Sequence, residues 1–194
     1  MKKRPLLLYI HGFNSSSLSH KASVMRSFCE QSRPDIKLIS PSLPSFPQEA
    51  AQMLAEIVES HMDEFNIGMV GSSLGGYLAI WLNSLYGLKA VVVNPAIKPY
   101  ELLVDYLGPQ QNPYSGHHYI LEPHHIDELK ALDTAVLKAP EDFWLLQQTG
   151  DEILNYRQAV QYFVNAKQNV EQGGDHSFVD FERYPPKIID FLQL

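Results

Sequence analysis

The chain has 194 residues and a mass of 22.0 kDa, a length that suits one domain of about 100–200 residues. Its 15 basic and 22 acidic residues give a formal net charge of −7, which disfavours binding to nucleic acid or to anionic lipid. With 45% hydrophobic and 19% charged residues, the composition is typical of a globular protein and excludes the disordered class.

The sequence also bears on location. Its one cysteine, Cys29, cannot form an intrachain disulfide. The apolar run at 6–10 is too short for a signal peptide, and no stretch approaches the roughly 18–20 apolar residues of a membrane span. We therefore expect a cytoplasmic protein without a membrane span. Residue types leave its oligomeric state open.

Short apolar runs alternate with longer stretches of helical period, which is typical of a parallel sheet covered by helices. In chain order, strands are predicted at 6–10, 36–40, 67–71, 89–94, 143–149 and 168–171. Helices are predicted near 18–32, 48–65, 73–86, 155–166 and 180–192. The pattern therefore predicts an α/β fold with a mostly parallel sheet of about six strands, flanked by helices.

One long connection, between Asn94 and Phe143, interrupts this alternation. It contains six prolines, and a connection of this length inside a compact domain is usually functional or carries small elements of its own. We predict a small cap insertion over 97–139 within a single domain spanning 1–194. Helices are predicted inside it near 99–107 and 124–131.

A predicted strand runs directly into a helical pattern at Gly71-Ser72-Ser73-Leu74-Gly75, which has the G-x-S-x-G form of a nucleophile elbow. Larger side chains two positions before or after the serine would collide with the neighbouring strand and helix. The turn aims Ser73 at the start of the next helix, where free N–H groups favour negative charge. The alternatives are a Gly/Ser-rich turn without catalysis, and Ser72, which we expect to face away.

A serine hydroxyl is a weak nucleophile unless a base takes its proton and an acid orients the base. In this architecture the three follow one another as Ser, Asp or Glu, and His. Asp151 follows the fifth predicted strand and His176 lies in a glycine-rich loop after the sixth, where catalytic groups gather in open α/β sheets. We predict Ser73, Asp151 and His176 as a catalytic triad. Glu152 remains an alternative acid, and helix capping remains an alternative role for Asp151.

Acyl transfer also requires N–H donors for the oxyanion, each worth about 2.7–4 kcal/mol where this has been measured. The backbone N–H of Leu74 is the first candidate. The second is assigned to Phe13, because His11-Gly12-Phe13-Asn14 follows the first strand immediately. We expect His11 to shape this loop rather than to act as a second base.

With these residues in place, the chain resembles the α/β-hydrolase superfamily and, more narrowly, the YqiA type of small bacterial esterase. The similarity is carried by His11-Gly12-Phe13-Asn14-Ser15-Ser16 with Lys21-Ala22, by Val70-Gly71-Ser72-Ser73-Leu74-Gly75-Gly76-Tyr77, by Val91-Val92-Val93-Asn94-Pro95-Ala96, by Asp105-Tyr106-Leu107-Gly108 and by Trp144-Leu145-Leu146-Gln147-Gln148-Thr149-Gly150-Asp151-Glu152. It implies a compact hydrolase of acyl esters or thioesters with Ser73, Asp151 and His176 in the triad positions. That group often has Gly-Gly-Asn-His where this chain has Asp175 before His176.

Three other kinds of site fit the sequence less well. The histidine-rich segment 117–125 offers metal-ligand types, but Pro123 interrupts any helix through it and no H-E-x-x-H spacing occurs. A polar cap surface is the favoured interpretation, and no metal or cofactor is expected. A P-loop would require a lysine where Tyr77 stands. Cys29 lies in a helical pattern that indicates packing rather than catalysis.

Three functions therefore remain open. The principal one is a serine carboxylester hydrolase acting on a small-molecule acyl ester. The second is an acyl-CoA thioesterase with the same triad, for which Lys98, Lys130 and Lys138 supply modest positive charge. The third is a non-catalytic binding protein in which the cap blocks the site. Residue types leave acyl chain length, leaving group and physiological substrate open.

Overall fold

The computed structural model describes residues 3–194. Within them lie eight strands, β1 (Arg4–Ile10), β2 (Lys37–Ile39), β3 (Phe65–Ser72), β4 (Ala90–Val93), β5 (Gly108–Gln111), β6 (His118–Leu121), β7 (Phe143–Gln148) and β8 (Lys167–Glu171). The same residues form seven α-helices, α1 (His20–Ser32), α2 (Pro47–His61), α3 (Leu74–Tyr86), α4 (Pro99–Leu103), α5 (Pro123–Ala131), α6 (Tyr156–Tyr162) and α7 (Pro185–Leu192). Six strands form one sheet in the order β2-β1-β3-β4-β7-β8, and every neighbouring pair is parallel. The predicted fold class is confirmed.

Helices cover both faces of this sheet. Along β1, Leu6, Leu8 and Ile10 pack in a core cluster with α2, α3 and α6. Leu7 and Tyr9 point the other way, into a cluster with α1 and α7. Because such strands are buried on both faces, they form continuous apolar runs, which is why the sequence pattern located them. Among residues 3–194, no helix has both the length and the apolar character needed to cross a bilayer.

Several predicted helix boundaries are wrong, among them that of the helix predicted over 155–166, which ends at Tyr162. The helix predicted to reach residue 65 ends at His61, because Phe65 pairs with Arg4 as the first residue of β3. The helix predicted from residue 180 begins at Pro185, which occupies its first turn, where a missing N–H costs no hydrogen bond.

The connection between β4 and β7 contains α4, an antiparallel hairpin of β5 and β6, and α5. The helix predicted near 99–107 ends at Leu103 and continues only as a 3₁₀ turn over Val104–Tyr106. The hairpin was not predicted. This region packs on the sheet layer through Tyr77 of α3, whose hydroxyl donates a 2.6 Å hydrogen bond to the Leu129 carbonyl of α5.

Glu171, the last residue of β8, makes the stability of the fold depend on pH. Burial alone would raise the pKa of Glu171, but hydrogen bonds from Arg183, Tyr184 and Gln148 outweigh it and lower that pKa to about 2. A carboxyl group with a depressed folded-state pKa stabilises the fold above its unfolded pKa, and this contribution disappears as the pH falls towards the folded value. Glu171 therefore stabilises the protein fully at neutral pH and progressively less from pH 4.5 down to about 2.

We expect Glu171→Gln to lower the free energy of unfolding at neutral pH and to flatten its decline on acidification. Urea unfolding of the wild type and the variant across the acid range measures this difference. Arg4→Gln, at an exposed ion pair with Glu64, is the control and should leave the pH profile nearly unchanged. Parallel profiles for Glu171→Gln and the wild type would contradict the assignment.

Candidate active site

Ser73 lies at the junction of β3 and α3. Its backbone angles, φ 56° and ψ −121°, place it in a strained region that costs of order 1–3 kcal/mol. The flanking glycines make the turn possible: a Cβ atom on Gly75 would overlap the carbonyl oxygen of Ile10, and one on Gly71 would overlap the carbonyl of Gly75. The sequence therefore forms the sharp strand-to-helix turn that the G-x-S-x-G pattern predicts.

The structure brings Ser73, Asp151 and His176 together at the carboxyl ends of β3, β7 and β8. Nε2 of His176 lies 3.1 Å from Oγ of Ser73. Nδ1 of the same ring lies 2.9 Å from Oδ2 of Asp151, whose side chain is fully buried. Because a carboxylate accepts the Nδ1 proton, Nε2 is left as an acceptor facing the serine hydroxyl.

Asp151 also caps the turn that follows β7. Its Oδ1 accepts the backbone N–H groups of Ile153 and Leu154 at 2.9 and 2.8 Å. The alternative role, a cap on the next helix, is wrong for Asp151, because Asn155 caps α6 by accepting the Arg157 N–H at 3.1 Å. Asp151 instead binds both the turn before that helix and the imidazole ring. Hydrogen bonds from two fixed N–H groups hold the carboxylate in one position against the imidazole ring.

The other acids near the ring occupy different positions. Oε2 of Glu152 accepts the backbone N–H of His176 at 2.9 Å, so this side chain holds the loop rather than the ring. Oδ1 of Asp175 is buried and has no hydrogen-bond partner within residues 3–194. Among these carboxylates, only Asp151 bonds to the imidazole in the part of the chain that the structure describes.

Lys21 of α1 reaches the same loop. Its Nζ donates a 2.8 Å hydrogen bond to the Ser177 carbonyl. Burial lowers the pKa of Lys21 to about 8, although the negative charges of Asp175 and Asp151 act in the opposite direction. Lys21 therefore places a positive charge near the carboxylates of Asp151 and Asp175 at the His176 loop.

Two buried amide residues that the sequence analysis missed also hold the loop. Asn94, at the end of β4, donates from Nδ2 to the carbonyls of Asp175 and His176 at 2.9 and 3.1 Å. Oε1 of Gln148, at the end of β7, accepts the N–H groups of Asp175 and Val179. A polar amide at the end of a buried apolar strand was the available signal, because such a group must find partners nearby.

The oxyanion loop, residues 11–15, lies against Ser73. A Cβ atom on Gly12 would come within 3.1 Å of Ser73 Cβ, so glycine permits this close approach. Phe13 and Leu74 line the same cavity as Ser73, and within residues 3–194 neither backbone N–H donates to a backbone carbonyl. The two N–H groups are therefore candidate donors for an oxyanion.

His11 fixes the conformation of this loop. Its Nε2 accepts the Leu43 N–H at 3.0 Å, and its Nδ1 lies 2.9 Å from the Gly12 carbonyl, to which it donates. Burial lowers the pKa of His11, which favours this neutral form. Both ring nitrogens are therefore occupied away from Ser73.

The β5–β6 hairpin also contacts the oxyanion loop, through hydrogen bonds to Asn14. Gln110 and Tyr119 lie directly opposite each other across the two strands. The Tyr119 hydroxyl donates to Oδ1 of Asn14 at 2.7 Å, and Nδ2 of Asn14 donates to Oε1 of Gln110 at 3.4 Å. Asn14 has a φ of 51°, so these two contacts stabilise a left-handed residue next to Phe13.

Ser73 faces a cavity. This cavity of about 210 Å³, here named the open cavity, is lined by Ser73, His176, Phe13, Leu103 and Ile153 together with their neighbours. Most of its lining is apolar side chain. The site therefore has room for an organic group directly beside the hydroxyl.

The histidine-rich segment contains one group with metal-ligand geometry. Donor atoms of His124, His125 and Glu128 lie within 4.8 Å of one another. However, Nδ1 of His125 accepts the Glu122 N–H at 2.9 Å in a capping box, and Oε2 of Glu128 accepts the Gln48 N–H at 3.1 Å. These atoms serve the starts of α5 and α2, consistent with a structural role for the segment.

A model of an uncharacterised protein family, UPF0227, matches residues 6–193. The chain belongs to this family. UPF0227 protein YcfP of Escherichia coli O139:H28 is 31% identical over 100 residues, which cover 50% of this chain and 53% of the relative. A UPF0227 protein of Shewanella oneidensis is 33% identical over 97 residues, 48% of this chain and 52% of the relative. The chain spans about half the length of the curated relatives it matches.

Several solved structures named as hydrolases or esterases share this fold. Est1E from Butyrivibrio proteoclasticus has a TM-score of 0.76 at 14% identity, covering 100% of this chain and 88% of that one. Alpha/beta hydrolase domain-containing protein 10 from mouse has a TM-score of 0.74 at 18% identity, covering 100% and 92%. At such identities the likeness is one of fold, and it confirms the predicted α/β-hydrolase fold.

Proposed function

We propose that this protein is a serine carboxylester hydrolase that cleaves acyl esters of small molecules through an acyl-enzyme intermediate. The observation that carries this proposal is the continuous set of hydrogen bonds from Asp151 through His176 to Ser73. Phe13 and Leu74, which carry the two candidate N–H donors, line the open cavity together with the same serine. In this proposal Ser73 is the nucleophile, His176 the base and Asp151 the orienting acid, and the two N–H groups are the oxyanion donors.

Acylation follows from these positions. Nε2 of His176 takes the Ser73 proton as Oγ forms a bond to the carbonyl carbon, and the carbonyl π electrons move to oxygen. The N–H groups of Phe13 and Leu74 stabilise the oxyanion. When the carbonyl reforms, the bond to the alcohol oxygen breaks, and His176 gives its proton to that oxygen. Asp151 stabilises the imidazolium throughout and keeps Nδ1 protonated.

Deacylation repeats the sequence with water as the nucleophile. His176 takes a proton from water, the resulting hydroxide oxygen bonds to the acyl carbon, and the second oxyanion collapses with loss of Ser73 Oγ. The proton returns to the serine, and the carboxylic acid leaves. These steps use only side chains, backbone N–H groups and water.

Acyl-CoA thioesters are the second candidate substrate class, and the charge around the lysines weighs against them. Lys98 lies 3.5 Å from Glu101, and Lys130 lies 3.7 Å from Asp127, so neighbouring acids offset the charge that CoA phosphates would need. We expect a higher kcat/KM for an oxygen ester than for a CoA thioester of the same acyl chain. A higher value for the thioester would replace the ester proposal.

The direct test is turnover of a chromogenic short-chain ester by the purified chain. We expect steady hydrolysis, preceded by a burst of released alcohol if deacylation is the slower step. A non-catalytic binding protein, the third hypothesis, would show neither turnover nor a burst. That outcome, with a folded protein, would contradict the proposed function.

The contact between Tyr119 and Asn14 gives a further prediction. Tyr119→Phe removes one donor and leaves Oδ1 of Asn14 with one partner fewer, a loss worth about 1–3 kcal/mol. Because Asn14 adjoins Phe13, we expect kcat for a short-chain ester to fall about tenfold while KM changes little. Tyr114→Phe is the matched control, since Tyr114 is 61% exposed. Equal kinetics for both variants would contradict a role for the hairpin in holding the oxyanion loop.

A further inference from the structure

Two cavities flank the candidate oxyanion donors, and they differ in size and in their distance from His176. We infer that the acyl part of the substrate binds in one of them and the alcohol part in the other, and that the acyl part is short and apolar. This inference rests on the proposed function and adds a substrate class to it: esters of a short aliphatic acid with a bulkier alcohol.

The second cavity, here named the enclosed cavity, has a volume of about 40 Å³. It lies between the oxyanion loop, the segment 43–47 and the β5–β6 hairpin. Leu43, Phe46 and Ala50 line one side of it, and Tyr119 and Leu121 line the other.

Three residues line both cavities, and two of them carry the candidate oxyanion donors. The three are Phe13, Leu74 and Leu103, whereas Ser73 and His176 line only the open cavity. A carbonyl oxygen held by the N–H groups of Phe13 and Leu74 therefore lies at the boundary between the two spaces. The two substituents of the carbonyl carbon then extend in different directions from that point.

The position of His176 determines which part of the ester extends into which cavity. In the sheet order, β1 and β2 lie on one side of β3, and β7 and β8 lie on the other. The oxyanion loop and segment 43–47 follow β1 and β2, whereas Asp151 and His176 follow β7 and β8. The leaving alcohol oxygen must face Nε2 of His176 to receive its proton. The alcohol therefore occupies the open cavity, and the acyl chain points towards the enclosed one.

The volumes then set the size of each group. A volume of 40 Å³ holds about three water-sized groups at roughly 10–15 Å³ each, which corresponds to acyl groups of about two to four carbons. The open cavity, at about 210 Å³, exceeds the roughly 150 Å³ of a cavity known to bind benzene. An aromatic alcohol therefore fits where a long acyl chain does not.

Five polar residues line the enclosed cavity, and four of them, His11, Asn14, Asn112 and Tyr119, have side-chain hydrogen bonds within the protein, Ser45 being the fifth. Both ring nitrogens of His11 are occupied by Leu43 and Gly12. Asn14 bonds to the hairpin on both of its side-chain atoms. Nδ2 of Asn112 donates to the Ser15 carbonyl, and its Oδ1 accepts the N–H groups of Tyr114 and Ser115. An apolar chain satisfies such a lining without breaking these bonds.

Two substrate series test the inference on the whole chain. In the first, 4-nitrophenyl esters vary in acyl length from acetyl to decanoyl. In the second, acetate esters vary in the alcohol from methyl to naphthyl. We expect kcat/KM to fall on the order of tenfold or more between the butyryl and octanoyl esters. The acetate series should show no comparable fall up to the naphthyl ester.

Two variants test whether the acyl series depends on the enclosed cavity and the alcohol series on the open cavity. Leu43→Ala enlarges the enclosed cavity and should shift the acyl optimum to longer chains without changing the order of the alcohols. Ile153→Ala, which lines the open cavity, should change the alcohol series and leave the acyl optimum in place. If Leu43→Ala does not fold, Ala50→Val fills the same enclosed cavity and should restrict turnover to the shortest acyl groups.

The outcomes separate this inference from the proposed function. Efficient turnover of decanoyl esters by the wild type, or an acyl optimum that responds to Ile153→Ala and not to Leu43→Ala, would overturn the inference and leave the esterase proposal intact. Absence of turnover with every ester would refute the proposed function, and the inference with it.

Discussion

Ser73→Ala should lower kcat/KM for a short-chain ester by at least about 10⁴-fold, because no other group replaces the attacking oxygen. The oxyanion donors and the open cavity remain, so a small residual rate above the uncatalysed reaction is expected. The variant loses one hydrogen bond in a partly exposed position. Its thermal unfolding midpoint should therefore stay close to that of the wild type.

Ser72→Ala is the matched control for this variant. Ser72 is the last residue of β3 and precedes Ser73 in the same turn, but the bond to the His176 ring comes from Ser73. The Ser72→Ala variant should therefore keep most of the activity. Undiminished turnover by Ser73→Ala would exclude Ser73 as the nucleophile. Equal losses in both variants would indicate that the turn itself had been damaged.

Gly75→Ala should cause the largest loss of stability among simple substitutions at the site. Its added Cβ atom would overlap the backbone carbonyl of Ile10, and backbone cannot move aside as a flexible side chain can. We expect a loss of more than about 3 kcal/mol in the free energy of unfolding, the upper range for overpacking. Urea unfolding followed by circular dichroism measures it.

Gly116→Ala separates this overlap from ordinary glycine strain. Gly116 has a φ of 71° but faces open space, so alanine there costs only the left-handed penalty of about 1–2 kcal/mol. If both variants lost the same amount of stability, close packing between the elbow and β1 would not be what requires glycine at position 75.

Much of the fold follows from local sequence signals. The runs around Leu7 and Val92 are apolar on both faces, which occurs in strands covered by helices on each side. The elbow at Ser73 was predictable because a side chain at Gly71 or Gly75 would overlap neighbouring backbone. The two glycines and the serine between them can be read directly from the sequence. Asp151 and His176 followed from their place after successive strands, since parallel strands end at the same edge.

Other features depend on contacts that no local pattern encodes. The β5–β6 hairpin has strands of only four residues each, too short for a clear pattern, and it is held by contacts with Asn14, about a hundred residues away. The loop-holding roles of Asn94, Gln148 and Glu152 arise from side chains that meet backbone atoms of residues 175–179. Such pairings require the folded arrangement of β4, β7 and β8 before they can be recognised.

The most direct test of the central claim is the site at which a fluorophosphonate reacts. Serine attacks the phosphorus and displaces fluoride only when a base activates its hydroxyl. We predict a single adduct on Ser73 by peptide mass spectrometry, and much slower labelling of His176→Ala and Asp151→Asn at equal folded fraction. A folded wild-type protein that stays unmodified, or carries its adduct at another residue, would contradict the account.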